Sequence, residues 1–385
     1  MPEVNPQILT WAREAAGLSL DEAARAVGLG GADPAVRLAL MEAGKLAPTR
    51  RQLGKMAERY RRPILTFYLP EPPKAAPKTH DFRKLRGPDP ASEARVDALI
   101  RDVRVRQALV LSALQDMQED DPLPFVGSVR PEQGPQALAD AVRTTLDFDL
   151  VAYRAARTTD DAFRLLREAV EQIGVYVLLI GNLGHHTSSI DPTVFRGFAL
   201  ADPVAPFIVI NENDSRAAWA FTLLHELGHV FLGQTGISGY DSEAPVEELC
   251  DAAAARFLLA AGELDQIGVR GLPIAELAEA IGAFAGARKV SRKMVAYNLR
   301  REGKISWATY RELSDLFDAE RLARVRADGG AVDYYTVRRH RVGRGLTRLV
   351  DRMVRGGALT STKAGRVLGV KPTAVGRMTA GTRAA

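Results

Sequence analysis

The sequence predicts a helix-dominated α+β fold in which a small sheet lies beside one buried helix. Most of the chain has apolar residues at helical spacing, punctuated by capping residues and glycine stops. Three short apolar runs predict strands: the β-branched run "VYVLLIG", and then "FRGFALAD" and "PFIVINEN", which are separated by the turn residues "DPVA". The third is followed at once by the helical stretch "DSRAAWAFTLLHELGHVFLG". Strands that meet a helix in this order indicate a sheet packed against that helix.

The N-terminal 70 residues are predicted to form a bundle of short helices. "LTWAREAAGLSLDEAARAVGL" predicts two helices, the second capped by Ser19 with Glu22 in a capping box. After a glycine-rich turn, "DPAVRLALMEAGKLAPTRRQLGKMAERY" predicts two more, separated by Gly44 and Pro48. Short helices joined by a tight turn are the arrangement that a helix-turn-helix requires, so we expect such a domain over 1–70.

Three further segments follow this bundle. The proline cluster in "FYLPEPPKAAPKTHDFRKLRGPDPAS" predicts a linker over 71–90. A domain over 91–300 contains long amphipathic helices and the three strands. The remainder, 301–385, is helical and basic, and "GALTSTKAGRVLGVKPTAVGRM" predicts a helix capped by Thr360 or Ser361, a glycine turn and another helix. We interpret this tail either as a second helix-turn-helix or as a helix-turn-helix adapted to recognise a partner.

Composition excludes several classes of protein. The single cysteine, Cys250, rules out an internal disulfide. No apolar run approaches the roughly 20 residues that span a bilayer, and "MPEVNPQILTW" lacks the pattern of a signal peptide, so we expect a cytoplasmic protein with no membrane partner. The net charge of +5 is concentrated in the tail, which indicates nucleic acid, an acidic partner or a solvated helix face.

The stretch "LLHELGH" is the strongest chemical signal in the chain. On an α-helix, His225 and His229 are one turn apart on the same face and can bind one ion. Glu226 stands beside the first histidine, where a carboxylate can reach a water on that ion. We therefore expect a catalytic metal site, with zinc as the default ion and manganese as the alternative.

A catalytic zinc needs a third protein ligand. The acidic helix "EAPVEELCDAAAARFLLA" offers Glu247, with Asp251 four residues later on the same face and able to reach a ligand histidine. Glu248 is the adjacent competitor and Glu243 a weaker one. Cys250 could also face the metal, although a lone cysteine on an alanine-rich helix is more often a small core residue.

These motifs resemble those of the ImmA/IrrE metallopeptidases. "FTLLHELGHVFLG" followed by "VEELCDAAAARFLL" is similar to the family's helical H-E-x-x-H and later E-x-x-x-(N/D), and the resemblance covers residues 1 to about 300. It implies a zincin-like endopeptidase domain with His225, His229 and Glu247 as zinc ligands and Glu226 as general base. It also implies a regulatory protein as substrate, such as a transcriptional repressor cleaved in a stress response.

The chain departs from the family pattern at Asp251, where asparagine is more usual, although a carboxylate also orients an imidazole. Other polar residues are weaker candidates. Arg196 in "FRGF" could donate to a substrate carbonyl or oxyanion, or be a surface ion-pair partner. His185 and His186 could contact substrate or supply an oxyanion donor, or form a surface loop pair. The strand "PFIVIN" could accept an extended peptide if it lay at a sheet edge.

The N-terminal bundle resembles XRE-type helix-turn-helix domains, particularly in "EAGKLAPT". This implies a third helix in the DNA major groove, with Arg37, Lys45, Arg50 and Arg51 near DNA. A helical bundle that binds protein is the alternative.

Two functions remain open from the sequence. One is a zinc endopeptidase that cuts a regulatory protein. The other is a DNA-binding regulator or antitoxin-like protein with a structural or inactive metal site. Either function is compatible with a homodimer.

Overall fold

A computed structural model of the chain shows an architecture made mostly of α-helices. The described part of the chain contains four short strands, which form a single sheet. The prediction of a predominantly helical α+β fold is therefore confirmed. No helix in this part of the chain is long and apolar enough to cross a membrane. The structure describes residues 3–73, 90–184, 188–238, 245–325 and 333–380.

The chain's internal contacts define two units, the first made of residues 1–103 and 182–194. Its core consists of apolar side chains from four short helices and the 3₁₀ segment Ile64–Tyr68, with Tyr60 and Phe67 fully buried. The helices of this unit are α1 (Pro6–Glu14), α2 (Leu20–Val27), α3 (Pro34–Glu42), α4 (Arg50–Arg59) and the first part of α5 (Pro90–Asp116).

Local capping explains where these short helices begin and end. Ser19 accepts a hydrogen bond from the Glu22 backbone while the Glu22 carboxylate accepts one from the Ser19 backbone, so the predicted capping box is confirmed. A buried ion pair joins Arg13 on α1 to Glu42 on α3, with Nε and Oε1 2.7 Å apart. Together with the apolar core, these contacts fix a four-helix arrangement of short elements.

The second unit, residues 104–181 and 195–385, contains the sheet. Helices α6 to α8 precede it in the chain, one helix follows its third strand, and the remaining helices run to the end. These helices are α6 (Gly134–Leu146), α7 (Leu150–Ala155), α8 (Thr159–Gln172), α9 (Arg216–Phe231), α10 (Pro245–Leu258), α11 (Ile274–Arg288), α12 (Arg292–Arg301), α13 (Trp307–Val325), α14 (Tyr334–Val342), α15 (Arg344–Arg355), α16 (Ser361–Leu368) and α17 (Val375–Thr379).

The sheet has the strand order β1-β3-β2-β4. Its strands are β1 (Tyr176–Leu179), β2 (Gly197–Leu200), β3 (Phe207–Ile210) and β4 (Gly236–Ser238). β1 and β3 are parallel, whereas β2 runs antiparallel to both β3 and β4. Every residue of β1, β2 and β3 is buried, as expected for apolar runs covered on both faces.

The position of β3 corrects one expectation. The strand "PFIVIN" lies between β1 and β2, so its backbone groups are already paired on both sides and no peptide can add to it. Peptide addition was expected only if β3 lay at a sheet edge, and its central position excludes that route. Strand order depends on contacts distant in sequence, which the pattern of one strand does not record.

The basic tail packs into the second unit through a buried ion pair. Arg167 and Glu171 on α8 bind each other with Nε and Oε1 3.0 Å apart, and their side chains are only 7% and 5% exposed. Arg167 also donates to the backbone carbonyls of His340 and Arg341, and Glu171 accepts from the Gly345 amide. Helices α14 and α15 are thereby held against α8.

Candidate metal centre

Helix α9 places two histidines and a glutamate inside the protein. Ser215 is the N-cap of α9. The helix begins shortly after β3 and ends at Phe231. Every residue from Thr222 to Phe231 is buried, because this segment packs against the sheet on one side and α10 on the other. Burying imidazoles and a carboxylate in such surroundings costs free energy unless each gains a partner.

A close approach of α10 supplies the third acidic side chain. A Cβ at Gly228 of α9 would lie 3.1 Å from Cys250 Sγ and 3.5 Å from Leu138, so glycine at this position favours the close approach of the two helices. Cys250 is therefore a buried core residue in the contact between the two helices, and it is not one of the candidate metal ligands. Burial, together with neighbouring carboxylates, raises the pKa of its thiol well above the ordinary value. The contact brings Glu247 to the histidine pair.

His225, His229 and Glu247 converge on one point. Their ligand atoms all lie within 4.8 Å of one another. The two Nε2 atoms are 3.1 Å apart, and the Glu247 oxygens lie 3.2 Å from His225 Nε2 and 3.4 Å from His229 Nε2. A tetrahedral zinc ion with bonds near 2.1 Å separates its ligand atoms by about 3.4 Å. The spacing of the three side chains thus fits a zinc ion.

The hydrogen-bond pattern points to a cation as well. His225 Nδ1 lies 2.8 Å from Asp251 Oδ1, which leaves Nε2 of a neutral ring as a lone-pair donor facing the other Nε2. Glu247 Oε2 is buried and faces the same His225 Nε2 atom at 3.2 Å. A divalent cation at their common focus would satisfy these facing lone pairs.

The charges of the cluster reinforce one another. Burial alone would lower the pKa of His225, but hydrogen bonds to Asp251 and Glu247 raise it well above its ordinary value. For Glu247, burial opposes ionisation, yet contacts with both histidines lower its pKa to about 2. The site is therefore poised to hold positive charge between the two helices.

Glu226 lies beside the cluster, against the backbone of β2. It is fully buried, and a Cβ built on Gly197 would lie 2.8 Å from Glu226 Oε1 and 2.7 Å from Thr222 Cγ2. The strand can pass this close only because residue 197 is glycine. Gly197 was not predicted as a site residue, although a glycine within an otherwise apolar strand often marks a close backbone approach.

The weaker candidates divide by location. Arg196, next to Gly197 in the sequence, is exposed, and its Nε lies 3.9 Å from the buried Oδ2 of Asp214, at the limit of an ion pair. Glu248 is exposed and outside the cluster, in contrast to Glu247. His185 and His186 lie outside the described residues, as does Glu243.

The four basic residues expected near DNA are all exposed in the first unit. Lys45 lies in the turn after α3, and Arg50 and Arg51 begin α4. Arg37 on α3 donates to the Gly30 carbonyl, 3.2 Å away, so part of its hydrogen-bonding capacity is used within its own turn.

Comparison with known proteins gives one match. Residues 173–300 match the model of peptidase family M78, described as the IrrE N-terminal-like domain. The matched range contains the whole sheet, α9 and α10, and hence the histidine–glutamate cluster. It covers about one third of the chain and includes neither terminal bundle. No curated protein and no solved structure showed a significant match.

Proposed function

We propose, from the premise that residues 173–300 are a metallopeptidase domain of the ImmA/IrrE family, that this protein is a zinc-dependent endopeptidase. The match of residues 173–300 to the family model supports the resemblance stated for "LLHELGH" and the helix that follows it. The observation that carries the zinc assignment is the convergence of His225, His229 and Glu247 at the spacing of a zinc tetrahedron.

In this proposal each residue has one task. His225, His229 and Glu247 hold the ion, which when bound acidifies water and polarises a peptide carbonyl. Asp251 fixes the orientation of the His225 ring through the contact with Nδ1. Glu226, buried beside the ligands and held by β2, takes a proton from the attacking water and passes it to the leaving amine.

The substrate is proposed to be a regulatory protein, such as a transcriptional repressor cleaved in a stress response. Arg196, exposed and next to Gly197, is proposed as a donor to the substrate carbonyl. The proposed location is the cytoplasm, and a homodimer is compatible with the proposal. Manganese is the alternative ion.

The proposed domain organisation follows from the sequence boundaries. Residues 1–70 form an XRE-like helix-turn-helix domain that binds DNA through Arg37, Lys45, Arg50 and Arg51. Residues 71–90 are a linker, 91–300 the peptidase domain and 301–385 a basic helical region. Exposure of all four basic side chains supports DNA contact.

A matched pair of variants tests the catalytic role. Glu226→Gln should retain metal but lose at least a thousandfold of its cleavage rate on a quenched-fluorescence peptide library, a rough size for loss of general-base catalysis. Glu248→Gln, which removes an exposed carboxylate nearby, should cleave at the wild-type rate. Wild-type cleavage by Glu226→Gln would contradict the assignment.

The second candidate is a DNA-binding regulator or antitoxin-like protein whose metal site is structural. The observation that favours it is the basic surface of the terminal helices. This second function would be favoured if the protein contained zinc and bound DNA but cleaved no peptide of the library.

A further inference from the structure

We propose that the C-terminal bundle of α14, α15, α16 and α17 is a second helix-turn-helix module that binds duplex DNA. The contacting face is α16 together with the helical segment from Pro372 to Thr379. This inference does not depend on the peptidase assignment, since DNA binding can be measured without substrate cleavage.

The first support is an internal sequence repeat between the two ends of the chain. "LSLDEAARAVGL" begins at Leu18 and "LTSTKAGRVLGV" at Leu359. Aligned without gaps, the two stretches are identical at their first, sixth, eighth and eleventh positions, Leu, Ala, Arg and Gly. At the second position both carry a hydroxyl, and at the tenth and twelfth both carry aliphatic side chains.

The second support is that these shared positions have the same structural roles. Ser19 and Thr360 are the N-caps of α2 and α16, both eight residues long, and each side chain accepts a hydrogen bond from the backbone three residues on. Gly28 and Gly369 end the helices in the left-handed conformation, with φ of +70° and +65°. In both cases a proline then opens the next helical segment.

The turn after α16 is short and tightly packed. It consists of 369–371, and a Cβ on Gly365 would lie 2.8 Å from the Val370 carbonyl oxygen and 3.2 Å from the Pro372 nitrogen. The backbone of the turn therefore rests directly on α16, and the two helical segments are held as one rigid corner. A tight corner of this kind is what presents the second helix of a helix-turn-helix to a groove.

The third support is charge. Residues 333–380 contain eleven Arg and Lys against two Asp, whereas 3–73 contain ten Arg and Lys against eight acidic residues. The positive charge of the C-terminal module is therefore much less compensated than that of the N-terminal bundle. Such an excess in a small module favours a polyanion as partner.

The ion pairs show which face is free. Arg341, Arg344 and Arg352 bind the peptidase-side carboxylates Glu212, Glu168 and Glu119. On α16 and the segment after it, Lys363, Lys371 and Arg377 are exposed, and none has an acidic partner within the described residues. Three arginines of α14 and α15 are thus neutralised by acidic side chains of the same chain, while the exposed cations on the helix-turn-helix side are available to contact phosphate.

Binding of the full-length chain to a labelled duplex of about 30 base pairs tests the proposal, because a phosphate-contacting protein binds mixed-sequence DNA measurably at low salt. Arg50→Gln and Arg51→Gln are present throughout, so that the N-terminal bundle does not mask the result. Adding Lys363→Gln and Lys371→Gln should weaken binding roughly tenfold at low salt. It should also reduce the slope of log affinity against log salt by about 2, close to 0.9 for each lost phosphate contact.

A control with the same change of charge sits on α15. Arg344→Gln and Arg348→Gln remove two exposed positive charges from the side near Glu168, and affinity should change less than about twofold. The proposal is overturned if the control weakens binding as much as the lysine pair. It is equally overturned if the lysine pair binds as well as the background, or if the background binds no DNA at low salt, in which case the surface serves an acidic protein.

Discussion

At the scale of single residues, the central feature is a set of ionisable side chains buried among apolar neighbours. His225 and His229 are 4% and 2% exposed, and Glu226 is fully buried. The two histidines are tolerated because they have acidic neighbours: Asp251 for His225, and Glu247 for both. Without such neighbours, buried charge would cost several kcal/mol per group.

The contact between Asp251 and His225 can be tested by its effect on metal affinity. Asp251→Ala should weaken zinc binding about 10- to 100-fold, because the ligand ring loses the acceptor that fixes its tautomer and orientation. Asp251→Asn should weaken it less, since an amide oxygen still accepts a hydrogen bond from Nδ1. Competition with a fluorescent zinc chelator measures both constants, and equal affinities for Asp251→Ala and wild type would refute the role.

The close approach of β2 to Glu226 leads to a second prediction. Gly197→Ala should lower peptidase activity at least tenfold and destabilise the fold by about 1–3 kcal/mol, the usual cost of overpacking a tight core. The added methyl group would overlap both Glu226 and Thr222. Gly268→Ala is the control, because a Cβ there meets no atom within 4 Å. Steady-state kinetics measures the activity of the two variants, and urea unfolding measures their stability. A fully active Gly197→Ala would contradict the close packing of β2 against Glu226.

At the scale of elements, the important relation is the one between α9 and α10. The proposed ligands come from two helices, so their spacing depends on the position of α10 relative to α9. Arg154 on α7 donates to the Leu258 carbonyl at the end of α10 and binds Glu263 through both guanidinium nitrogens, at 2.8 and 2.7 Å. Glu263 also accepts from the Ala260 amide. This cluster fixes the C-terminal end of α10.

The contribution of Glu263 to stability should depend on pH. Burial opposes ionisation of Glu263, but the hydrogen bonds from Arg154 and Ala260 prevail and lower its pKa below the ordinary value of 4.5. Its stabilisation is therefore present above about pH 4.5 and lost as pH falls through the lower folded-state pKa. Glu263→Gln should cost about 1–2 kcal/mol at neutral pH and progressively less toward about pH 3.

Urea unfolding of wild type and Glu263→Gln across this pH range measures the difference. Glu302→Gln, which alters a more exposed carboxylate, should differ from wild type by less than about 0.5 kcal/mol throughout. If the difference in unfolding free energy between wild type and Glu263→Gln stayed constant as pH fell, the charge of the carboxylate would not be involved.

Much of the sheet and metal region could be predicted because its signals are local. The apolar runs gave β1, β2 and β3, and helical spacing placed both histidines on one face of α9. β4 was not predicted, because three residues, Gly236–Ser238, carry no alternating pattern. The central position of β3 and the ion pair of Arg167 with Glu171 depend on residues far apart in the chain, and periodicity carries no information about them.

At the scale of the whole molecule, the C-terminal bundle packs within the same unit as the histidine–glutamate cluster. The loop residue Glu212, just before α9, binds Arg341 Nε at 2.5 Å, and His340 lies near Trp219 of α9, with ring centroids 6.2 Å apart. The buried pair of Arg167 and Glu171 completes the attachment. The tail is therefore part of the folded body that supports α9.

The buried pair should dominate this attachment. Glu171→Gln leaves the Arg167 charge uncompensated among buried groups and should reduce the free energy of unfolding by about 3–5 kcal/mol. Glu168→Gln, on the same helix but in the exposed pair with Arg344, should cost no more than about 1 kcal/mol. Urea denaturation compares them, with limited proteolysis reporting whether the tail is released first. Equal losses for the two variants would show that burial does not set the strength of the attachment.

Zinc content is the most direct test of the central claim, that two histidines and Glu247 hold a metal ion for catalysis. Chelator-free protein is purified as wild type, His229→Ala, Glu247→Ala and Glu248→Ala, and metal is measured per chain. We expect about one zinc in the wild type and in Glu248→Ala, and almost none in the other two, since three protein ligands are the minimum of a catalytic zinc site. A wild type without metal, or Glu247→Ala that retains it fully, would contradict the account.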